Sequence, residues 1–461
     1  MTGRRSAPPV DGVEVATAGL ADAGGAPAVT AGVVVADAAR ADARRGPGRG
    51  VRARLASDAM LRNSLAIMAT SVVTSLFGYV FWLVVARTST AAVTGAGAAT
   101  TSALQAAALL ASVGAAAAMI EWLPRAAGQR DWRAALTVGL AVAAVGSAVS
   151  GAVVVAVLGH VAGTLPALAT PTGGALFVVG TVCFALGTTL DYVAVAERAG
   201  GVMLARNTLF VLARVPVLFV PWLLPGTDDQ ILTAWTAAGA VALLVALAGF
   251  RGRPLRLTRH GLGGHWRAMR SSLVGQHLVT ITAMLGGYLL PIVVVARVSP
   301  EANAYFYATW MLGAVFFMIS PAVATSLFAE VASDPAAALA TARRSAKIIG
   351  LLLVGPMAVY LAAGGLLLQL FGPDYPAQGR LLLVVLTLSA VPDAVTNLAV
   401  AVLRATGRMG TALTLNTAML VGGLALAWAL LPVLGIVAAG VGWIAAQTLG
   451  ALWVLAVRRR A

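Results

Sequence analysis

Three ionisable residues, Asp191, Arg214 and Asp393, stand inside long apolar runs of this 461-residue chain. An ionisable group at bilayer depth is costly and tends to face a cavity, a relay or a partner, so each marks a candidate for binding or ion coupling. Arg214 follows Asn207 by seven residues, on one face of a helix. Two readings of Arg214 stand: a guanidinium in a central cavity that clamps a diphosphate or an acidic sugar, or an internal ion pair with Asp191 or Asp393. Each aspartate is either a proton or sodium site, which would make an ion gradient the driving force, or a helix-capping and pairing residue. Asn397 comes one helical turn after Asp393 and shares its face. Gln276 and His277 open the seventh apolar run and add polar candidates for substrate contact. Farther along that run Gly286, Gly287 and Pro291 allow a helix to flex and kink. Such a helix suits a gate past which a lipid tail trails; the plain alternative is an ordinary kink. Glu121 and Glu330, at the ends of the second and eighth runs, either latch that side shut or pair with loop arginines such as Arg125 and Arg344.

The residues offer no catalytic or cofactor constellation. The only lysine, Lys347, precedes Ile348, so the chain has no phosphate-binding Gly-x4-Gly-Lys-Ser/Thr loop. His160, His260, His265 and His277 have no ligand spacing to one another or to Cys183, so no metal or cofactor is expected. A glycan polymerase or ligase would need catalytic groups on a long outer loop, and the longest, 159–172, carries one histidine and no charge. An enzyme is therefore not expected.

The elements that position these residues follow from composition. Hydrophobic residues make up 59% of the chain, charged residues only 11%, and the mean hydropathy is +0.89. A soluble domain is about a quarter charged, so most of this chain belongs in lipid. Cutting at the polar breaks yields twelve spans: 64–86, 93–120, 135–158, 173–194, 207–225, 231–250, 272–296, 303–328, 348–371, 380–403, 411–432 and 435–457. Each is near the roughly 20 residues that a bilayer requires. Positive charge collects in loops on the cytoplasmic side. With both termini on that side, all 32 Lys and Arg fall in inner segments except Arg87, Arg297 and Arg380 in outer loops and Arg214 within a span. The formal charge of +15 is therefore a topology signal, and no nucleic-acid partner is implied. Residues 1–57 read as a disordered cytoplasmic arm whose arginines would rest on anionic lipid heads or in water.

The chain repeats itself once with a shift near 209 residues. Val-Val-Ala-Arg ending at Arg87 falls on the same four residues ending at Arg297, Glu121 falls on Glu330, and Asn207-Thr208 falls on Asn416-Thr417. Six spans per repeat insert both halves the same way up. The expected fold is an all-α integral membrane protein of two pseudo-symmetric six-helix bundles, 58–250 and 270–461, joined by a basic cytoplasmic linker at 251–269.

Four stretches carry a family resemblance: Leu61-Arg62-Asn63-Ser64 leading through Gly78 to Arg87; Glu121-Trp122-Leu123-Pro124; Leu370-Phe371-Gly372-Pro373-Asp374-Tyr375; and Leu403-Arg404-Ala405-Thr406-Gly407-Arg408. Together with the helix number they resemble the polysaccharide flippases of the multidrug/oligosaccharidyl-lipid/polysaccharide exporter superfamily. The resemblance implies a cavity between two bundles that opens alternately inward and outward. Its implied cargo is a polyprenyl-diphosphate-linked oligosaccharide for cell-envelope polysaccharide synthesis, carried to the outer leaflet of the bacterial plasma membrane. Glycan polymerases or glycosyltransferases would be its partners. Two rivals remain: a cation-coupled multidrug exporter of the same superfamily, and a non-transporting membrane scaffold for envelope glycan enzymes. Spans one and two hold no carboxylate before Glu121, which weighs against the exporter.

Overall fold

The computed structural model describes residues 51–219, 230–250, 257–258, 262–266, 275–333 and 338–460. Residues 1–50 of the expected 1–57 arm and most of the basic linker thus lie outside the described residues, while 51–57, expected as disordered, form the start of the first helix. Twelve long helices run through the described part, which contains no strand. They are α1 (Val51–Thr88), α2 (Ala91–Trp122), α3 (Gln129–Val154, continued by a π-helical turn Val155–Val161), α4 (Pro171–Ala196), α5 (Gly200–Leu218) and α6 (Gln230–Gly249), then α7 (Gly275–Arg297), α8 (Pro300–Ser333), α9 (Ala338–Gln369), α10 (Tyr375–Ala405), α11 (Met409–Leu434) and α12 (Val437–Arg460). Among the described residues, eleven of these helices are long and apolar enough to cross a membrane, which makes this a multi-pass membrane protein. α2 carries the buried polar run Thr100, Thr101, Ser102 and Gln105 and is enclosed by α3, α4, α7 and α8.

The repeat recurs at the level of backbone geometry. Thr90 caps α2 by accepting a hydrogen bond from Val93 N, and Ser299 caps α8 from Ala302 N. The α4–α5 turn places Arg198 at φ 54° and closes with Ala199 N donating to Ala194 O and Arg198 N to Val195 O. The α10–α11 turn repeats this with Gly407 at φ 75°, Arg408 N to Leu403 O and Gly407 N to Arg404 O. Both follow the Schellman pattern that ends a helix in a left-handed residue. Packing repeats too: α1 on α5, α2 on α4, α4 on α6 and α5 on α6 recur as α7 on α11, α8 on α10, α10 on α12 and α11 on α12. The chain folds as two equivalent six-helix lobes.

Two further sequence expectations shift. The fifth span was expected at 207–225, but α5 occupies Gly200–Leu218 and takes Arg206 inside. The polar cut excluded Arg206 because it is charged; its ion pair, described below, lets the helix keep it. Tyr305, Tyr307 and Trp310, near the start of the eighth span, read by position as an interfacial aromatic belt, with sugar-stacking rings as the alternative. Instead Tyr307 and Trp310 are buried, Tyr307 against Trp82 of the first lobe and Trp310 against Trp443 within the second.

Candidate functional site

In the first lobe, the tight α4–α5 turn forms a helical hairpin in which residues at similar distances on either side of Arg198 face one another. Asp191 and Arg206 meet this way, Arg206 Nη1 lying 2.9 Å from Asp191 Oδ2. Asn207 Nδ2 donates to the same oxygen at 2.9 Å, while Arg206 Nη1 also donates to Asn207 Oδ1 at 2.8 Å. The side chains of Arg206 and Asp191 are 4% and 14% exposed, so the pair is neutralised inside the lobe. Gly187 makes room for the guanidinium there: a Cβ at that position would lie 2.0 Å from Arg206 Nη2 and would displace it from its present place. Asn63 holds the start of α5 from α1, its Oδ1 accepting a hydrogen bond from Gly200 N at 2.7 Å.

Arg214, two turns farther along α5, has no exposed surface. Its guanidinium carbon lies 4.2 Å from the Trp235 ring centroid, 4.6 Å from that of Phe210 and 4.8 Å from that of Phe81. A cation over three aromatic faces braces α1, α5 and α6 together.

The second lobe is built differently. Asp393 on α10 is buried, and its Oδ2 accepts hydrogen bonds from Ser320 Oγ at 2.6 Å and Asn397 Nδ2 at 2.9 Å. Among the described residues, it has no ion-pair partner, and its Oδ1 has no hydrogen-bond donor. It lines a cavity of about 220 Å³ bounded by α7, α8, α10, α11 and α12. The wall is apolar and aromatic, with Trp310, Phe317 and Trp443 clustered at ring-centroid distances of 5.1–5.6 Å. The polar lining includes Asn397, Asn416, Gln447 and, three turns after Asp393, Arg404.

The two lobes meet mainly through α2, which packs on α7 and α8. At the end where α1 joins α2 and α7 joins α8, the contact is sealed. Gly95 of α2 lies so close to α8 that a Cβ would fall 1.7 Å from Pro300 O, and Asn303 Nδ2 donates to Gly95 O at 2.7 Å. Beside it Arg87 crosses from α1 to the end of α9, donating to Leu370 O at 2.6 Å and to Gln369 O at 3.0 Å, while Tyr79 meets Phe371 edge-on at 5.2 Å. Its repeat counterpart Arg297 stays within its lobe, on the Trp428 carbonyl at 3.3 Å.

The structure brings together Asp191 with Asn207, and Asp393 with Asn397, but places them in separate lobes. Arg214 lies apart from the Asp191 pair, whose cation is Arg206. Gly287 and Gly286 line the second-lobe cavity, Gly286 buried against Leu420 and Trp443. Pro291 is buried inside α7, and Glu330 is exposed near the end of α8. The side chains of Gln276, His277 and Glu121 lie outside the described residues. Sequence reasoning missed Arg206, Ser320, Gln447 and Asn303. Arg206 alone had a legible signal, its mirror position to Asp191 across the short break at 197–199.

No family model and no curated protein sequence matches the chain. Solved structures do. The chain is similar to an inward-facing multidrug resistance MATE family transporter of the MOP superfamily, with a TM-score of 0.61 and 13% identity over 84% of this chain and 94% of that one. It is also similar to the lipid II flippase MurJ in an inward closed conformation, with a TM-score of 0.67 and 11% identity over 86% and 87%. A MOP superfamily transporter from Pyrococcus furiosus gives 0.57 and 16% identity over 87% and 95%. The fold is that of the MOP superfamily transporters.

Proposed function

We propose that this chain is a secondary transporter that flips a polyprenyl-diphosphate-linked oligosaccharide from the cytoplasmic to the outer leaflet of a bacterial plasma membrane by alternating access. The observation that carries the reading is an asymmetry along the membrane normal. The lobes are sealed at one end by Arg87, Gly95 and Asn303, while the cavity of the second lobe extends the other way, from Asp393 to Arg404 near the end of α10. On the charge-based topology, with both termini cytoplasmic, the sealed end is the outer one and the cavity lies on the loading side. The basic inner rim would attract a diphosphate while the lipid tail stays in the bilayer. Asp393 is the proposed proton or sodium site, because Asp191 is already neutralised by Arg206. Arg214 is read as a brace of the first lobe rather than a substrate contact.

A cation-coupled drug exporter is the second reading, favoured by one observation: a carboxylate, Asp393, in an aromatic-lined cavity. Arg404 in the same lining opposes a cationic cargo. A scaffold for glycan enzymes should lose function when residues 1–57 are deleted, whereas a flippase should keep it. The test of the main reading is leaflet-resolved accumulation of the lipid-linked glycan in cells lacking the protein. The glycan is expected to build up in the inner leaflet; arrival at the outer leaflet at the normal rate, with no compensating transporter, would overturn the reading.

A further inference from the structure

We propose that the second-lobe cavity is a saccharide subsite, holding a hexose against Trp443 and Phe317 with the phosphate on that sugar directed to Arg404. The assignment rests on the flippase reading above and names where part of the headgroup docks.

A sugar ring presents two kinds of surface: an apolar C–H face that stacks on aromatic rings, and hydroxyls that both donate and accept hydrogen bonds. The cavity supplies both. Trp310, Phe317 and Trp443 form one wall. The polar groups are arranged so that their inward-directed capacity is left over. Asp393 receives Ser320 and Asn397 on Oδ2, and its Oδ1 has no donor among the described residues. Asn416 spends its amide N–H on Val279 O, and Asn397 spends its own on Asp393 and Ser320, which leaves the carbonyl oxygens of both as acceptors for hydroxyls. Gln447 adds its amide, which meets Thr396 Oγ1 at 2.6 Å, as a further polar group of the wall. A cluster of polar groups beside an aromatic wall in one cavity matches a polyhydroxylated ligand.

Size and charge narrow the class. About 220 Å³ is far more than a dehydrated monovalent ion fills. Arg404 borders the same space, held over Phe328 at 5.6 Å. At about 1.5 Å rise per residue it lies roughly 16 Å beyond Asp393 along α10. The Arg404 side chain, longer than that of Asp393, leans back along α10 toward it. A guanidinium at one end and hydroxyl-binding groups at the other match a hexose 1-phosphate, the chemistry shared by a free sugar phosphate and the reducing end of a lipid-linked glycan.

The test uses the full-length protein in lipid nanodiscs and radiolabelled glucose, galactose, mannose and N-acetylglucosamine 1-phosphates, with inorganic phosphate and tetraphenylphosphonium as competitors. At least one hexose 1-phosphate is expected to bind saturably and to be displaced weakly by inorganic phosphate and not by tetraphenylphosphonium. Gln447→Leu, Asn397→Leu and Trp443→Ala should each weaken binding at least tenfold, while Trp443→Phe keeps it within about threefold and thereby controls for loss of fold. Arg404→Gln should erase the preference over the free hexose. Absence of any sugar phosphate binding, unchanged binding in Gln447→Leu and Asn397→Leu, or occupancy by tetraphenylphosphonium instead would each overturn the subsite. Those results together with intact glycan flipping in reconstituted vesicles would leave the flippase reading standing. Sugar phosphate bound in the cavity without any flipping would remove the flippase reading alone.

Discussion

The two lobes place an aspartate on the same repeat element, α4 in one and α10 in the other, and treat it in opposite ways. Asp191 lies five residues from the end of α4, where the hairpin delivers Arg206 and Asn207 to it. Asp393 lies twelve residues from the end of α10, two turns deeper than the repeat position of Asp191, and among the described residues its carboxylate is met only by Ser320 and Asn397. A carboxylate near a helix turn can be neutralised by the next helix. One placed deeper, facing a cavity, is left to find its counter-charge or proton elsewhere. The repeat therefore pairs the aspartate with a cation in one copy and leaves it facing a cavity in the other.

The largest expected effect separates these two roles. Arg206→Leu leaves Asp191 buried without its cation and should cost about 3–5 kcal/mol, read as a fall in the melting temperature of the purified protein. The double replacement Asp191→Leu with Arg206→Leu should recover most of that loss. Next, Gly187→Ala drives a Cβ to 2.0 Å from the Arg206 guanidinium and should destabilise by roughly 1–3 kcal/mol. Gly286→Ala in the other lobe meets Leu420 and Trp443 at 3.3 Å, so it should melt nearly as wild type while narrowing the cavity and slowing transport. Third, Asp393→Asn keeps the hydrogen bond from Ser320 and should change stability by less than about 1 kcal/mol. Glycan flipping should nevertheless fall at least tenfold; a large stability loss with normal flipping would return Asp393 to the structural class. The smallest effect is at the turns. Arg198→Gly gives the first turn the residue that the second already has at Gly407, and should stabilise by about 1 kcal/mol by relieving a left-handed non-glycine backbone.

The architecture was largely legible because a bilayer imposes long apolar runs and sorts arginine by side, and because the Arg87/Arg297 and Asn207/Asn416 landmarks survive in both copies. The site was legible only where polar residues lie one turn apart on one helix, as with Asp393 and Asn397. Ser320 and Gln447 come from other helices, and a serine or glutamine in an apolar run has no pattern that announces its partner. Arg206 was assigned to a loop because charge was used to end the span, which fails where a partner neutralises the charge within it. Arg214 stood out for the same reason, yet Phe81, Phe210 and Trp235 that surround it looked like any other lipid-facing aromatics.

The central claim is movement of a lipid-linked glycan between leaflets. Its most direct test is reconstitution of the full-length protein into vesicles loaded with undecaprenyl-diphosphate-linked oligosaccharide, with the glycan exposed on the outside removed continuously by an impermeant glycosidase. The inner-leaflet pool should become accessible in protein-containing vesicles and slow at least tenfold with Asp393→Asn. An inner pool that stays protected for as long as in protein-free vesicles would contradict the account.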